Sequence, residues 1–225
     1  MHKSATRLEK QCERYELEIE RILVRPIKNS ELWVGSDGSE KRPEEIALEH
    51  YTQRGCSGSW CEGGTLNLLM KAASLPVLVR YNIFADPDDA IRRFFEAQCV
   101  ILADHRSEIL HAIESSQTSN IEAAATKIIQ DSFIREFYPR VTFPVLLALW
   151  RALGPSRLTS IASVFLERPY DYRAGWPDLT LICDSGLRFV EVKTTDSLLE
   201  SQIRIIESFA KPLALQFAVA HVTSD

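Results

Sequence analysis

Gly175-Trp176-Pro177-Asp178-Leu179-Thr180-Leu181-Ile182-Cys183-Asp184-Ser185-Gly186-Leu187-Arg188-Phe189-Val190-Glu191-Val192-Lys193 is the stretch that decides the fold. Two β-rich runs, Leu179 to Cys183 and Leu187 to Val192, flank Asp184-Ser185-Gly186, a turn composition that predicts a hairpin. Side chains alternate faces along a strand, so Glu191 and Lys193 point one way while Val192 turns into the core. A hairpin partner then carries Asp178 beside them. Two carboxylates and a lysine are expected to converge at one strand end.

That convergence implies a particular chemistry. Paired carboxylates make the hard-oxygen site that Mg2+ or Mn2+ prefers, and the carbonyl of Val192 is placed to add a ligand. Such an ion polarises a phosphodiester and lowers the pKa of a bound water. Lys193 would orient that water or offset charge developing on the phosphate. A Glu-x-Lys pair on a solvated strand face is common and means little alone. Pro177-Asp178 at the head of the preceding strand is what separates this pattern from an ordinary surface ion pair.

After the hairpin, Ser197-Leu198-Leu199-Glu200 has the form of a capping box, and Leu199, Ile203, Ile206 and Ala210 recur at helical spacing until Pro212. Leu213 to Val222 reads as a last strand. Before the hairpin the chain is helical. Residues 1 to 20 read as a charged helix with a weak stripe (Leu8, Cys12, Tyr15, Ile19), and residues 28 to 42 as a connection with one short strand near Leu32 to Val34. Pro43 suits the first turn of a helix along which Ile46, Ala47 and Tyr51, or Leu48, repeat at helical spacing. An apolar helix from Thr65 to about Ala73 follows Gly63-Gly64, and from Pro87 to Arg168 successive apolar stripes predict several more helices, with a break at Gly154-Pro155. The expected fold class is α/β: a core of helix, β-hairpin, helix and strand, with a large helical region before the hairpin.

With 225 residues, 45% of them hydrophobic, the chain has enough apolar surface for one large domain or two small ones. The five cysteines are scattered, odd in number and free of zinc-ligand spacing, so the protein is expected to fold without cross-links in a reducing, intracellular setting. This means the cytoplasm of a bacterium or the nucleus of a eukaryote. No stretch approaches the roughly 18 apolar residues of a membrane span, and the charged N-terminus lacks a signal-peptide core. A net charge of −5 argues against a protein that coats nucleic acid non-specifically. It leaves room for an enzyme with one basic face.

Gly175-Trp176-Pro177-Asp178-Leu179, Phe189-Val190-Glu191-Val192-Lys193 and Gln202 resemble the VRR-NUC domain, a branch of the PD-(D/E)xK nucleases with a restriction-endonuclease-like core. Upstream, Glu44-Glu45-Ile46-Ala47-Leu48-Glu49-His50-Tyr51 and Glu62-Gly63-Gly64-Thr65 resemble segments of the catalytic module of Fanconi-associated nucleases. The resemblance covers residues 25 to 222. It implies that Asp178, Glu191 and the Val192 carbonyl hold the metal and that Lys193 is the catalytic lysine. It further implies that Glu44 is an upstream acidic ligand and that Gln202 supports the site; a surface glutamine is the alternative. Glu62 is a further candidate, with loop solvation as its alternative. After Lys193, relatives carry Gly-Pro-x-Asp-Arg where this chain has Thr194-Thr195-Asp196-Ser197, which bears on substrate choice more than on metal chemistry. The domain reading is residues 1–42 as an N-terminal helix and connection, then 43–225 as a nuclease domain with a helical insertion over about 87–168.

The function so implied is a metal-dependent deoxyribonuclease acting on flapped, branched or end-containing DNA in repair, with DNA as partner and a repair protein as a candidate second one. A dimeric Holliday-junction resolvase of the same fold and a non-catalytic DNA-binding module are the alternatives. Arg173 is expected to contact phosphate. Lys127, Arg135, Arg140, Arg151 and Arg157 read as helix-surface charges, and Trp60 and Trp176 as packed aromatics or base-stacking platforms.

Overall fold

A computed structural model describes residues 5–84, 86, 88–195 and 197–224. Pro87 and Asp196 lie outside the described residues, as does the chain before residue 5. The chain divides into two compact units, one formed by Met1–Trp60 with Gly175–Asp225 and the other by Cys61–Ala174.

The first unit is built on a five-stranded mixed sheet. In chain order its elements are α1 (Arg7–Tyr15), β1 (Glu18–Leu23), the short pair β2 (Trp33–Val34) and β3 (Glu40–Lys41), α2 (Pro43–Thr52) and β4 (Ser57–Trp60). The sheet order is β1-β7-β6-β5-β4, where β5 is Leu179–Cys183, β6 is Gly186–Lys193 and β7 is Gln216–Thr223. β5 and β6 form the expected hairpin, with Cys183 opposite Gly186 across a two-residue turn. β7 runs parallel to β6, and β1 parallel to β7.

The two faces of this sheet bury different chemistry. On one, Ile46, Ala47 and Tyr51 of α2 pack against Leu179, Leu181, Val190, Val192, Ala218, Ala220 and Val222. On the other, Trp176 is 1% exposed and meets Phe209 at a ring-centroid distance of 4.7 Å and Phe189 at 5.8 Å. Alternation therefore puts Glu191 and Lys193 on the aromatic face and Val190 and Val192 on the α2 face. Burial of Trp176 rules out its use as a base-stacking platform.

Two expectations need correction. The helical stripe holds for Leu8, Cys12 and Tyr15, all buried, and Thr6 caps the helix in a box with Glu9. The helix stops at Glu16, in the left-handed region at φ 57°, and residues expected to continue it form β1. The cause is non-local: β1 gains its hydrogen bonds from β7, about 200 positions along the chain, and local periodicity cannot register that. The cysteines are not all free either. Cys56 and Cys183 form a disulfide, because the β4–β5 register pairs Ser57 with Ile182 and sets the next residues outward opposite each other.

After Leu198 the helix begins two residues later than the Ser197 box implies. Its cap position is Leu199, whose N–H donates to Gln202 Oε1 at 2.8 Å.

The second unit is helical: α3 (Gly64–Arg80), α4 (Asp89–Arg92), α5 (Phe95–Ile101), α6 (Arg106–Glu114), α7 (Thr118–Gln130), α8 (Ser132–Phe137), α9 (Phe143–Phe165) and α10 (Pro169–Tyr172). α3 lies at its centre against α6, α7 and α9, and buries Leu66, Leu69 and Met70 completely. It runs past Ala73 and through Pro76, because packing on nearly all sides outweighs the lost hydrogen bond. α9 breaks at Gly154, as its Gly-Pro pair predicts.

Lys71 is an anomaly within this apolar helix, at 1% exposure. Its Nζ donates to the carbonyls of Ile91 and Arg93 at the end of α4. Burial pulls its pKa down to about 7, opposed by the charges of Glu96, Asp131 and Asp89. Between that value and the ordinary lysine value the unfolded chain binds more protons, so this group makes stability rise with pH. Relative to Lys71→Met, the wild type should gain stability between pH 7 and pH 10 in urea unfolding. A gap between the two proteins that is independent of pH would show that Lys71 is not held in this state.

Candidate active site

The hairpin delivers the expected convergence. Asp178 sits immediately before β5, and its Oδ2 accepts a hydrogen bond from the backbone N–H of Val192 at 2.8 Å. This one contact ties the loop to the adjacent strand at the level of Glu191 and Lys193. Glu191 is 5% exposed. Its Oε1 accepts from Lys193 Nζ at 3.0 Å and from Gln202 Nε2 at 2.5 Å.

The electrostatics follow from burial. Desolvation first, and the nearby Asp178 carboxylate second, raise the Glu191 pKa to about 8, while Lys193 acts against both. Lys193 pairs with Glu191 in a place where water screens poorly. An environment that penalises a second negative charge this strongly is one that a bound cation would relieve.

Gln202 comes from α11 (Glu200–Ile205), which a π-turn, Ile206–Ala210, extends before β7. Its amide is used at both ends: Oε1 accepts from the Leu199 N–H, and Nε2 donates to Glu191. The side chain is thereby fixed, and with it the orientation of the Glu191 carboxylate. The Trp176 loop is held to the same helix through Gly175, whose φ of 89° and close approach to the Ser201 backbone exclude a side chain.

The remaining candidates lie elsewhere. Glu44 is on the first turn of α2, the helix that covers the Val190/Val192 face, and it borders a cavity whose wall continues through Thr194 and Thr195. Among the described residues, no three His, Cys, Asp or Glu side chains form a group able to hold a metal. Glu62 is exposed at φ 46°, ahead of α3 in the second unit. Arg173, also in the second unit, is exposed with its guanidinium 5.4 Å from the Tyr170 ring centre. Lys127, Arg135, Arg140, Arg151 and Arg157 are exposed, as surface charges should be.

Sequence reasoning passed over His221 and Trp33. The parallel β6–β7 register sets His221 beside Lys193, and its Nε2 donates to the Thr194 carbonyl at 2.9 Å, pinning the chain as it leaves β6. A single histidine in a closing strand carries no local signal for this. Trp33 lines the same cavity as Glu44.

A mixed sheet with an Asp before one hairpin strand, Glu-x-Lys on the next, and helices on both faces is the restriction-endonuclease-like α/β fold. Solved structures confirm that class. The chain superposes on paFAN1 bound to a 2-nt 5′-flap DNA with gap at a TM-score of 0.66 and 21% identity, over 92% of this chain and 37% of that one. On paFAN1 bound to a 1-nt 5′-flap DNA with gap the TM-score is 0.64 and the identity 20%, with the same coverage. This chain therefore spans little more than a third of the length of paFAN1. No family model matches the sequence, and no curated protein matches it either.

Proposed function

We propose that this protein is a metal-dependent DNA nuclease that hydrolyses phosphodiester bonds at flapped or branched DNA, with repair as the setting. The observation that carries the reading is the meeting of Asp178, Glu191 and Lys193 at one strand end, with Gln202 fixing Glu191. Similarity to the fold of a protein crystallised on 5′-flap DNA supports that class of substrate. We take the helical stretch before the hairpin as an insertion in the nuclease domain.

The donor set suits a hard divalent ion. Mg2+ is commonly held by one or two carboxylates together with substrate phosphates and water, so a site with the Asp178 and Glu191 carboxylates fits it. Asp178, Glu191 and the Val192 carbonyl would hold Mg2+ or Mn2+, with Glu44 near the same strand end as an outer acidic group. The ion, when bound, supplies an electrophile and a water of lowered pKa.

The chain's own groups do the rest. Lys193 Nζ, paired with Glu191, neutralises charge that develops on the phosphate oxygens or aligns the attacking water. Asp178 is fixed by a backbone N–H, and Glu191 by Lys193 and Gln202, so neither carboxylate has to be ordered when substrate arrives. Gln202 is a positioning residue. Arg173 is proposed as a phosphate contact.

The test is cleavage of labelled 5′-flap, Holliday-junction and plain duplex DNA with Mg2+ or Mn2+. We expect the flap to be cut and the duplex to be cut poorly. Preference for the Holliday junction would favour a resolvase, and DNA binding without cleavage of any of the three would favour a non-catalytic module.

A further inference from the structure

Beyond Lys193 the chain enters a second feature of the first unit. Thr194 and Thr195 form part of the wall of a cavity of about 880 Å³ that is also lined by Trp33, Arg42, Glu31 and Glu44. We propose that this cavity holds one unpaired nucleotide of the strand being cut, with the base against Trp33 and the phosphate on Arg42. The inference rests on the nuclease reading for its placement beside a scissile bond.

Trp33 is a ready-made wall. Its backbone is fixed twice, by pairing of β2 with Lys41 of β3 and by a bridge to Pro26. The indole is half-buried, packs back on the α2 face of the sheet and lines the cavity with what remains. An aromatic held this way loses little freedom on binding and offers a face to any base, since every base has a π-face. Bases inside a duplex already have both faces covered by neighbours, so only an unpaired one can use it.

Arg42 supplies the charge. Its side chain is exposed, and its guanidinium makes no hydrogen bond or ion pair among the described residues. Other arginines of this unit are committed, Arg21 to Glu9 and Arg188 to Glu18 for example. With Glu31 and Glu44 also on the wall, the cavity is not a general anion trap, and a phosphate has one favourable place in it. The Thr194 and Thr195 hydroxyls add neutral donors and acceptors suited to sugar or phosphate oxygens. His221 keeps that side of the wall in place through the Thr194 carbonyl. The volume is near the upper end of the range for small-molecule sites, which suits a nucleotide and is too small for a duplex.

The test is binding, without metal, of a short fluorescein-labelled oligothymidylate and of a hairpin duplex, followed by anisotropy. Trp33→Ala should weaken oligothymidylate binding about tenfold or more, and Trp33→Phe should retain most of it. Arg42→Gln should weaken it several-fold and flatten its salt dependence by about one phosphate contact. Duplex affinity should stay within about twofold for all three. Oligothymidylate binding unchanged in Arg42→Gln or in Trp33→Ala, or equal losses for oligothymidylate and duplex in Arg42→Gln, would overturn the proposal. Failure of the nuclease reading is separable: a wild type that shows this binding pattern yet cuts no DNA keeps the subsite and loses the enzyme.

Discussion

Lys193→Ala should lower the rate of DNA cleavage by about 10²–10³-fold while leaving the protein folded and able to bind DNA. The ammonium lies 3.0 Å from Glu191 Oε1 and is mostly buried, so it is a charge held directly against the carboxylate. Its loss does not strand a charge in the core. Burial and the Asp178 carboxylate already favour the protonated form of Glu191, and loss of Lys193 moves it further in the same direction. Gln202 remains to hold the carboxyl group through Nε2. The defect should therefore appear in single-turnover rate with little change in affinity. Residues that act together lose little more when removed together, so Asp178→Ala combined with Lys193→Ala should be scarcely slower than either alone. Multiplicative losses would mean that the two groups serve separate steps.

The second large effect is on stability. A Cβ at Gly175 would lie 2.4 Å from the carbonyl carbon and oxygen of Ser201, and the backbone there has φ 89°. Neither conflict can be relieved by a side-chain rotation. Gly175→Ala should cost about 3–5 kcal/mol, backbone strain and overlap together, and lower Tm by on the order of 10 °C. Gly38 is the control, because it has φ 80° with nothing within 4 Å of an added Cβ. Gly38→Ala should cost only about 1–2 kcal/mol. Gly175 also sets the approach of the Trp176-Pro177-Asp178 loop to the helix that carries Gln202. Any Gly175→Ala protein that folds should for that reason lose cleavage rate. Equal stability of the two variants would show that the loop does not pack on α11 in this way.

How much of this was legible in the sequence varied with how local the cause was. The β5–β6 hairpin, the shared face of Glu191 and Lys193, and the placement of Asp178 follow from a turn motif and from strand alternation, and all three were readable. α2 was readable from Pro43 and its apolar spacing, and the break in α9 from Gly154-Pro155. What depended on distant pairing was not. β1 reads as helix because its partner, β7, is at the other end of the chain, and the Cys56–Cys183 disulfide joins residues 127 positions apart. Trp176 sits beside the motif and so suggested a ligand contact, yet three phenylalanines from different elements enclose it. The cavity with Trp33 and Arg42 has the same origin. It is assembled from a short strand pair, a helix start and a strand exit, none of which carries a motif.

The most direct test of the central claim is a single-turnover assay on 5′-flap DNA with Mn2+, comparing the wild type with Asp178→Asn. The wild type should cut and should stop cutting when the metal is chelated, and the variant should not cut although it still binds the DNA. Cutting that survives in Asp178→Asn, or that proceeds in the presence of chelator, would contradict the claim.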